Sequence, residues 1–199
     1  QESFLGYQGA VGAFMSGAAN YGFKPDAIAA VVKPVATAEG WAKAAGKYDD
    51  SNTFGLSKDT WTALKYVVNG WREAHPRTVQ CWWDLQDAVV EAVADPGRMI
   101  FLFDSKVRVY CAKNRRFLHI YLPNGRPLSY FKPRVKETKT KHSDGLGEEW
   151  ENTKRQVVVE GWDSRANRWG DVYLYGGLLW ENIIQGLCRD LLAHGIEVP

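Results

Sequence analysis

Apolar residues recur at a helical period through the first half of the chain and near every second position from Met99 onward. In the first twenty residues Phe4, Tyr7, Val11, Phe14 and Met15 are candidates to face a core. Gly6, Gly9 and Gly12 are poor residues for one long helix. The pattern predicts a helix ending near Gly9 and a second running to about Ala19. Lys24-Pro25-Asp26 predicts a helix through Ala45, capped or kinked at Pro34. Residues 47–54 read as a loop. Ser57 is an N-cap candidate, followed by the stripe Trp61, Leu64, Val67, Val68 and Trp71 to about Ala74. Pro76 fits the first turn of the next helix, which is expected to run to about Val93 and to bury Val79, Trp82, Trp83, Leu85, Ala88 and Val89. His75, just before that proline, reads as a corner or cap residue rather than a base.

From Met99 to Phe131 the runs 99–103, 107–111, 117–122 and 127–131 read as strands, with turns at Asp104-Ser105 and Asn124-Gly125. Leu118, Ile120 and Leu122 share one face of the third run, which sends His119 and Tyr121 to the other. Residues 139–152 read as a polar, mobile loop. Residues 156–162 and 172–175 read as a further hairpin turning at 164–167. Gly176-Gly177 then punctuates the chain, and a helical pattern closes it. Its apolar stripe is Trp180, Ile184, Leu187, Cys188 and Leu191. Its polar stripe is Glu181, Asn182, Gln185 and Arg189. Two amides and one Arg on a single ridge can donate and accept hydrogen bonds in a narrow slot, as base edges and sugars in a DNA minor groove require. The same pattern also describes a solvated helix face. The fold class predicted is α+β: a helical section over 1–97, then antiparallel β hairpins from about 98 to 175 with a long closing helix, together forming a section over 98–199.

Charge sharpens the picture more than composition does. The 199 residues carry a net charge of only +2, with 45% hydrophobic residues and nine Trp, enough for a core. The distribution is uneven. Residues 98–141 hold twelve Lys and Arg against two acidic residues, whereas the segments on either side are net acidic. A basic middle of this kind suits a polyanion. Arg126, Lys132, Arg134, Lys136, Lys139 and Lys141 belong to it, and they read equally as a solvated face or as phosphate contacts. Cys81, Cys111 and Cys188 are far apart with no Cys-x-x-Cys spacing, which argues against a disulfide framework or a zinc site and fits a reducing compartment. No signal peptide and no apolar run near 18 residues is seen, so no membrane span is expected. The Gly-x-x-Gly spacing near the start has neither a preceding strand nor a following Gly-Lys-Ser, so a phosphate loop is rejected.

Longer strings carry a resemblance. Tyr175-Gly-Gly-Leu-Leu-Trp-Glu-Asn-Ile-Ile-Gln-Gly-Leu-Cys-Arg-Asp-Leu-Leu192 resembles the helix before the metal-binding His-Asp-Glu motif of family A DNA polymerases, in the branch common among phages. That branch reads like Tyr-Gly-Gly-Lys-Leu-x-Glu-Asn-Ile-Val-Gln-Ala-x-Ala-Arg-Asp-Leu-Leu. Leu178 stands where Lys is usual, so a phosphate or nucleotide contact from that Lys would be missing. Trp71-Arg-Glu-Ala-His-Pro76 and Leu122-Pro-Asn-Gly-Arg-Pro-Leu-Ser-Tyr130 resemble further strings of the same branch, the second close to Leu-Pro-Ser-Gly-Arg-x-Leu-x-Tyr. Leu5 to Phe14 resembles the tail of the fingers helix that grips the incoming nucleotide.

The resemblance implies a DNA-directed DNA polymerase, a nucleotidyltransferase of DNA replication. The chain would be an internal section of its polymerase domain, fingers-like over 1–97 and palm-like over 98–199. Tyr7 would bind beside the nascent base pair. Glu181, Asn182, Gln185 and Arg189 would meet primer–template DNA, with Arg126 and Arg134 on phosphates. The triphosphate-gripping Arg and Lys would precede Gln1, and the start at Gln1, within a helical pattern, is itself read as a sign of a fragment. The two-metal reaction of the family needs Asp-bearing motifs that residues 1–199 do not contain. Asp190 and Glu181 do not replace them, since nine helical steps hold them ~13.5 Å apart. Mg2+ would thus be held in the complete enzyme by ligands outside this sequence. The isolated chain is expected to be inactive without the remaining polymerase sections, on the same parent chain or on other chains. Implied partners are primer–template DNA and a deoxynucleoside triphosphate, in the cytoplasm of a host cell, with no membrane. The alternative is a non-catalytic DNA-binding module on a polymerase-derived scaffold.

Overall fold

The computed structural model describes residues 5–22, 24–48, 50, 53–143, 149–163 and 166–197. The expected first helix starts outside them, and in its described part Leu5 is helical while residues 6–8 form a turn. The chain divides into two units, one up to Gln80 and one from Cys81. The boundary expected near residue 97 thus falls within a helix instead, because the second part of that helix belongs to the core of the β-rich unit.

The first unit is helical. α1 (Val11–Tyr21) follows a break at Gln8, whose φ is 66°. α2 (Pro25–Val32) opens on its proline and passes into a 3-10 turn at Lys33–Val35. α3 (Ala38–Ala45) then starts afresh, with Thr37 as an N-cap that accepts from the Gly40 N–H. The single helix expected over 24–45 is therefore two. Pro34 ends the first, and Ala36 adopts an extended conformation before the new cap.

α4 (Lys58–Ala74) is the spine of this unit. Ser57 caps it through the Thr60 N–H at 3.2 Å. Trp61, Leu64, Val68 and Trp71 are buried as their spacing requires, and Val67 is half-buried. Val11, Trp61 and Leu64 form a small core, lined by Phe14, Met15, Ile28, Tyr48 and Leu56. Thr60 is buried but not unsatisfied: its hydroxyl donates to Asp26 at 2.6 Å. His75 ends α4 as its C-cap residue, stacked on Trp71 at 4.2 Å and bonded through Nδ1 to the Trp71 carbonyl at 2.8 Å. α5 (Pro76–Ala94) begins at the next residue.

Among the described residues of the second unit, six antiparallel strands follow chain order in one sheet. They are β1 (Met99–Leu102), β2 (Val107–Cys111), β3 (Phe117–Tyr121), β4 (Pro127–Ser143), β5 (Glu149–Asp163) and β6 (Arg168–Leu174). The closing helix is α6 (Gly176–Glu197). Leu85, Ala88, Val89, Ala92 and Val93 of α5 join Leu179 and Ile183 of α6 over the inward residues of the sheet, among them Val109, Leu118, Ile120, Val157 and Leu174.

Three expectations need correcting here. Trp83 is 45% exposed while its neighbour Trp82 is buried. Adjacent helical positions point about 100° apart, so both cannot enter one core. The described parts of the expected loop, 139–143 and 149–152, are strand: β4 and β5 pair from Phe131↔Glu160 outward to Ser143↔Glu149, with a bulge between Phe131 and Arg134, and the rest of the expected loop lies outside the described residues. The outer part of this two-stranded arm has no apolar alternation to signal it. Finally, the fully buried residues of α6 are Gly176, Gly177, Leu179, Ile183 and Gly186, while the expected stripe is only half-buried where Trp180 and Leu187 pack against the core and is exposed further along. Leu191 is 71% exposed and Cys188 is also exposed.

The glycines explain that rotation. A Cβ on Gly176 would lie 1.9 Å from the Trp82 carbonyl oxygen, and one on Gly186 2.9 Å from Leu122 Cδ1. The helix turns Gly176 and Gly186 inward so that its backbone can approach α5 and the sheet. Among the described residues no helix is long and apolar enough to cross a membrane.

Candidate nucleic-acid interface

Two elements build the site. The β3–β4 turn is an Asn-Gly turn in which Asn124 Oδ1 accepts from the Arg126 N–H at 3.0 Å and Gly125 takes φ 85°. The turn aims Arg126 at α6. Arg126 Nε donates to Asp190 Oδ1 at 2.9 Å, and its Nη2 donates to the Gly186 carbonyl at 3.0 Å. Asn124 Nδ2 donates to the other Asp190 oxygen at 2.8 Å. One carboxylate thus receives two side chains from one turn and fixes the hairpin to the helix.

Beside this clasp lies an open cleft of ≈ 570 Å³ between Arg126–Tyr130 on one wall and Asn182, Gln185, Gly186 and Arg189 on the other. β5 pairs with β4 only from Phe131 onward, so Pro127–Tyr130 has β3 on one edge and no strand on the other. Asn182 Nδ2 donates to the Tyr130 hydroxyl at 2.9 Å, leaving the amide oxygen as an acceptor and the phenol hydrogen as a donor. Gln185 Nε2 donates to Glu181 Oε1 at 3.1 Å, one helical turn away. Arg189 is exposed and has no ion-pair partner among the described residues. Burial pushes the Tyr130 phenol above its ordinary value of 10.0, with the Asn182 hydrogen bond acting weakly the other way.

Of the residues singled out from sequence, Arg126, Asn182, Gln185 and Arg189 therefore line one cleft, with Glu181 bonded to Gln185 at its margin. Arg126 is committed to Asp190 and a helix carbonyl rather than standing free. Arg134 lies elsewhere in the sheet, paired with Asp171, which holds the Asp171 carboxyl below its usual range and raises Arg134. Tyr7 belongs to the first unit, half-buried in the turn before Gln8. Arg72 fixes that turn to α4 by donating to the Gly9 and Gln8 carbonyls at 3.2 and 3.4 Å.

Tyr130 is not among the site residues expected from sequence, Asn124 is expected only as part of a turn, and Asp190 is weighed only as a metal ligand. Tyr130 ends the Leu-Pro-Asn-Gly-Arg-Pro-Leu-Ser-Tyr string, so its place in the pattern was the available signal. Nothing local announces that Asp190 would accept from a turn more than sixty residues earlier.

The chain is similar to a DNA polymerase of Bacillus phage SP02. The two are 32% identical over 136 residues, which cover 65% of this chain and 18% of the phage protein. The chain thus spans under a fifth of that relative's length. No family model matches it. No solved structure matches it. Among the described residues no group of three or more His, Cys, Asp or Glu is placed to hold a metal ion.

Proposed function

We propose that this chain is a section of a DNA-directed DNA polymerase of family A, contributing contacts to primer–template DNA and a wall of the nucleotide pocket. The observation that carries the reading is the convergence of Asn182, Gln185 and Arg189 on one cleft, on a helix whose sequence resembles the polymerase string. The similarity to the phage polymerase supports it.

The amides and the Tyr130 hydroxyl offer donors and acceptors of the kind that minor-groove base edges and sugars need. Arg189 supplies a cation for the backbone. The Arg126–Asp190 clasp orients these groups rather than touching DNA itself. Tyr7, in the turn braced by Arg72, is the proposed nucleotide-pocket residue. The first unit would serve as fingers and the second as part of the palm. The described residues do not fit Mg2+, since they bring no carboxylate cluster together, so no chemical step is assigned to this chain. The chain alone is expected not to extend a primer.

Fluorescence anisotropy of a labelled primer–template duplex, titrated at several salt concentrations, tests the reading. Gln185→Ala with Arg189→Ala should weaken binding by about tenfold or more, at ~1–3 kcal/mol per specific contact. It should also reduce the slope of log K against log salt by about one. Binding that follows salt yet ignores the pair would leave only a generic basic surface, and the proposal would fail.

A further inference from the structure

The sheet has a second face, opposite α5 and α6. Alternation sends Leu118 and Ile120 into the core and Phe117, His119 and Tyr121 outward along β3. Their ring centroids follow one another at 5.7 and 5.8 Å. Phe131 on β4 lies 5.4 Å from Phe117. Phe101, opposite Arg108 in the register, is 58% exposed.

Cations attend these rings. The Arg108 guanidinium lies 5.3 Å from the Tyr121 ring, Arg116 5.9 Å from Phe117, and Lys132 Nζ 5.1 Å from Phe131. Lys132 is neutralised by Glu160 at 2.9 Å. Arg108 and Arg116 have no carboxylate partner among the described residues.

The solvent face of an antiparallel sheet is ordinarily polar, so a row of half-buried rings beside the exposed Phe101, with unneutralised guanidinium groups, calls for an occupant with both π faces and negative charge. An acidic protein surface would meet the cations and leave the rings unused. A duplex hides its base faces in its own stack. Unpaired nucleotides supply both features. We propose that this face binds single-stranded nucleic acid, stacking bases on Phe117, Tyr121 and Phe131 with Arg108 and Arg116 against phosphates. The surface is separate from the cleft of α6 and does not depend on the polymerase reading.

The test uses the full 199-residue chain and a fluorescein-labelled oligothymidylate of about twelve nucleotides, within the span such surfaces cover. Phe117→Ala with Tyr121→Ala should weaken binding by about tenfold or more, while salt dependence persists because the arginines remain. Phe117→Tyr with Tyr121→Phe should retain binding, since the rings remain. Gln185→Ala with Arg189→Ala should leave single-strand affinity within about twofold even where it weakens duplex binding. Unchanged affinity in the alanine pair would overturn the proposal. So would equal losses in the alanine and ring-preserving pairs, which would mean a change of fold. Sedimentation velocity covers the remaining occupant: self-association abolished by the alanine pair, with no single-strand binding in the wild type, would make this face an interface between copies and sink the inference.

Discussion

Arg126 and Asp190 form a two-point contact across the second unit: Nε and Nη2 of the guanidinium both reach Oδ1 at 2.9 Å, from a hairpin turn to the penultimate turns of the closing helix. Each side chain keeps less than a third of its exposure. The pair is thus too buried to count as a surface ion pair and too wet to carry the full cost of a buried one. Arg126→Ala or Asp190→Ala should each destabilise by about 1–3 kcal/mol. Urea denaturation of both single variants and the double should give a coupling energy of about 1 kcal/mol or more, and strict additivity would mean the contact contributes nothing. Asp190→Ala should also weaken duplex binding without removing any group proposed to touch DNA.

Gly176 and Gly195 give a contrast within one helix. A Cβ at Gly176 would meet the Trp82 carbonyl at 1.9 Å, whereas one at Gly195 would meet nothing within 4 Å. Gly176→Ala should therefore displace the helix start and cost about 3 kcal/mol or more, on the scale of severe backbone clashes. Gly195→Ala should be neutral or stabilise by up to ~1 kcal/mol through helix propensity. Thermal unfolding followed by circular dichroism separates them, and equal midpoints would refute the close approach.

Tyr130 predicts an alkaline limit to stability. Its phenol is raised above 10.0 in the folded chain, so folding favours the protonated form. Its contribution is intact below the unfolded value, near 10, and is lost as pH rises through the folded value. Tyr130→Phe should flatten the fall in stability above about pH 10. The phenolate absorbance of the folded wild type should lag that of the denatured chain. Superimposable titrations would contradict the assignment.

Ser57 supports the helical unit locally. Ser57→Ala removes the acceptor for the Thr60 N–H and should cost about 1 kcal/mol. Ser57→Asp should restore most of that loss, because the carboxylate accepts the same bond and suits the positive end of the helix. Failure of Asp to rescue in denaturant melts would point to the Ser57–Thr60 hydroxyl contact at 2.9 Å instead.

Much of this fold was legible where a local signal and a pattern coincided. Ser57 with Trp61, Leu64, Val68 and Trp71 announced α4, and Pro76 announced the start of α5. Alternation placed His119 on the outer face, where it bonds Ser129 at 2.9 Å. The phase of α6 was misread for a physical reason. Apolar periodicity gives weight to Trp180 and Leu191 and treats Gly176 and Gly186 as blanks, yet the tightest contacts are made where there is no side chain. The β4–β5 arm was missed because its residues alternate in charge and hydroxyl content rather than in hydrophobicity. Of the candidate site, the ridge Asn182, Gln185 and Arg189 could be read from one helix. Its facing wall, Arg126 to Tyr130, is placed by tertiary structure alone.

The same arm has a consequence for handling the protein. Beyond Arg134↔Val158, β4 has no strand on its other edge, and β5 is flanked by β6 only from Val157 onward. Unpaired strand edges are templates for aggregation. Here Lys136, Lys139, Lys154 and Arg155 project from exposed positions along them. Arg155 pairs with Glu137 of β4, so it is the three lysines, on both strands, that oppose the approach of a second copy's backbone and act as colloidal gatekeepers. Polyanions or high salt that neutralise them remove that barrier, and soluble preparations of this chain will depend on keeping the arm charged.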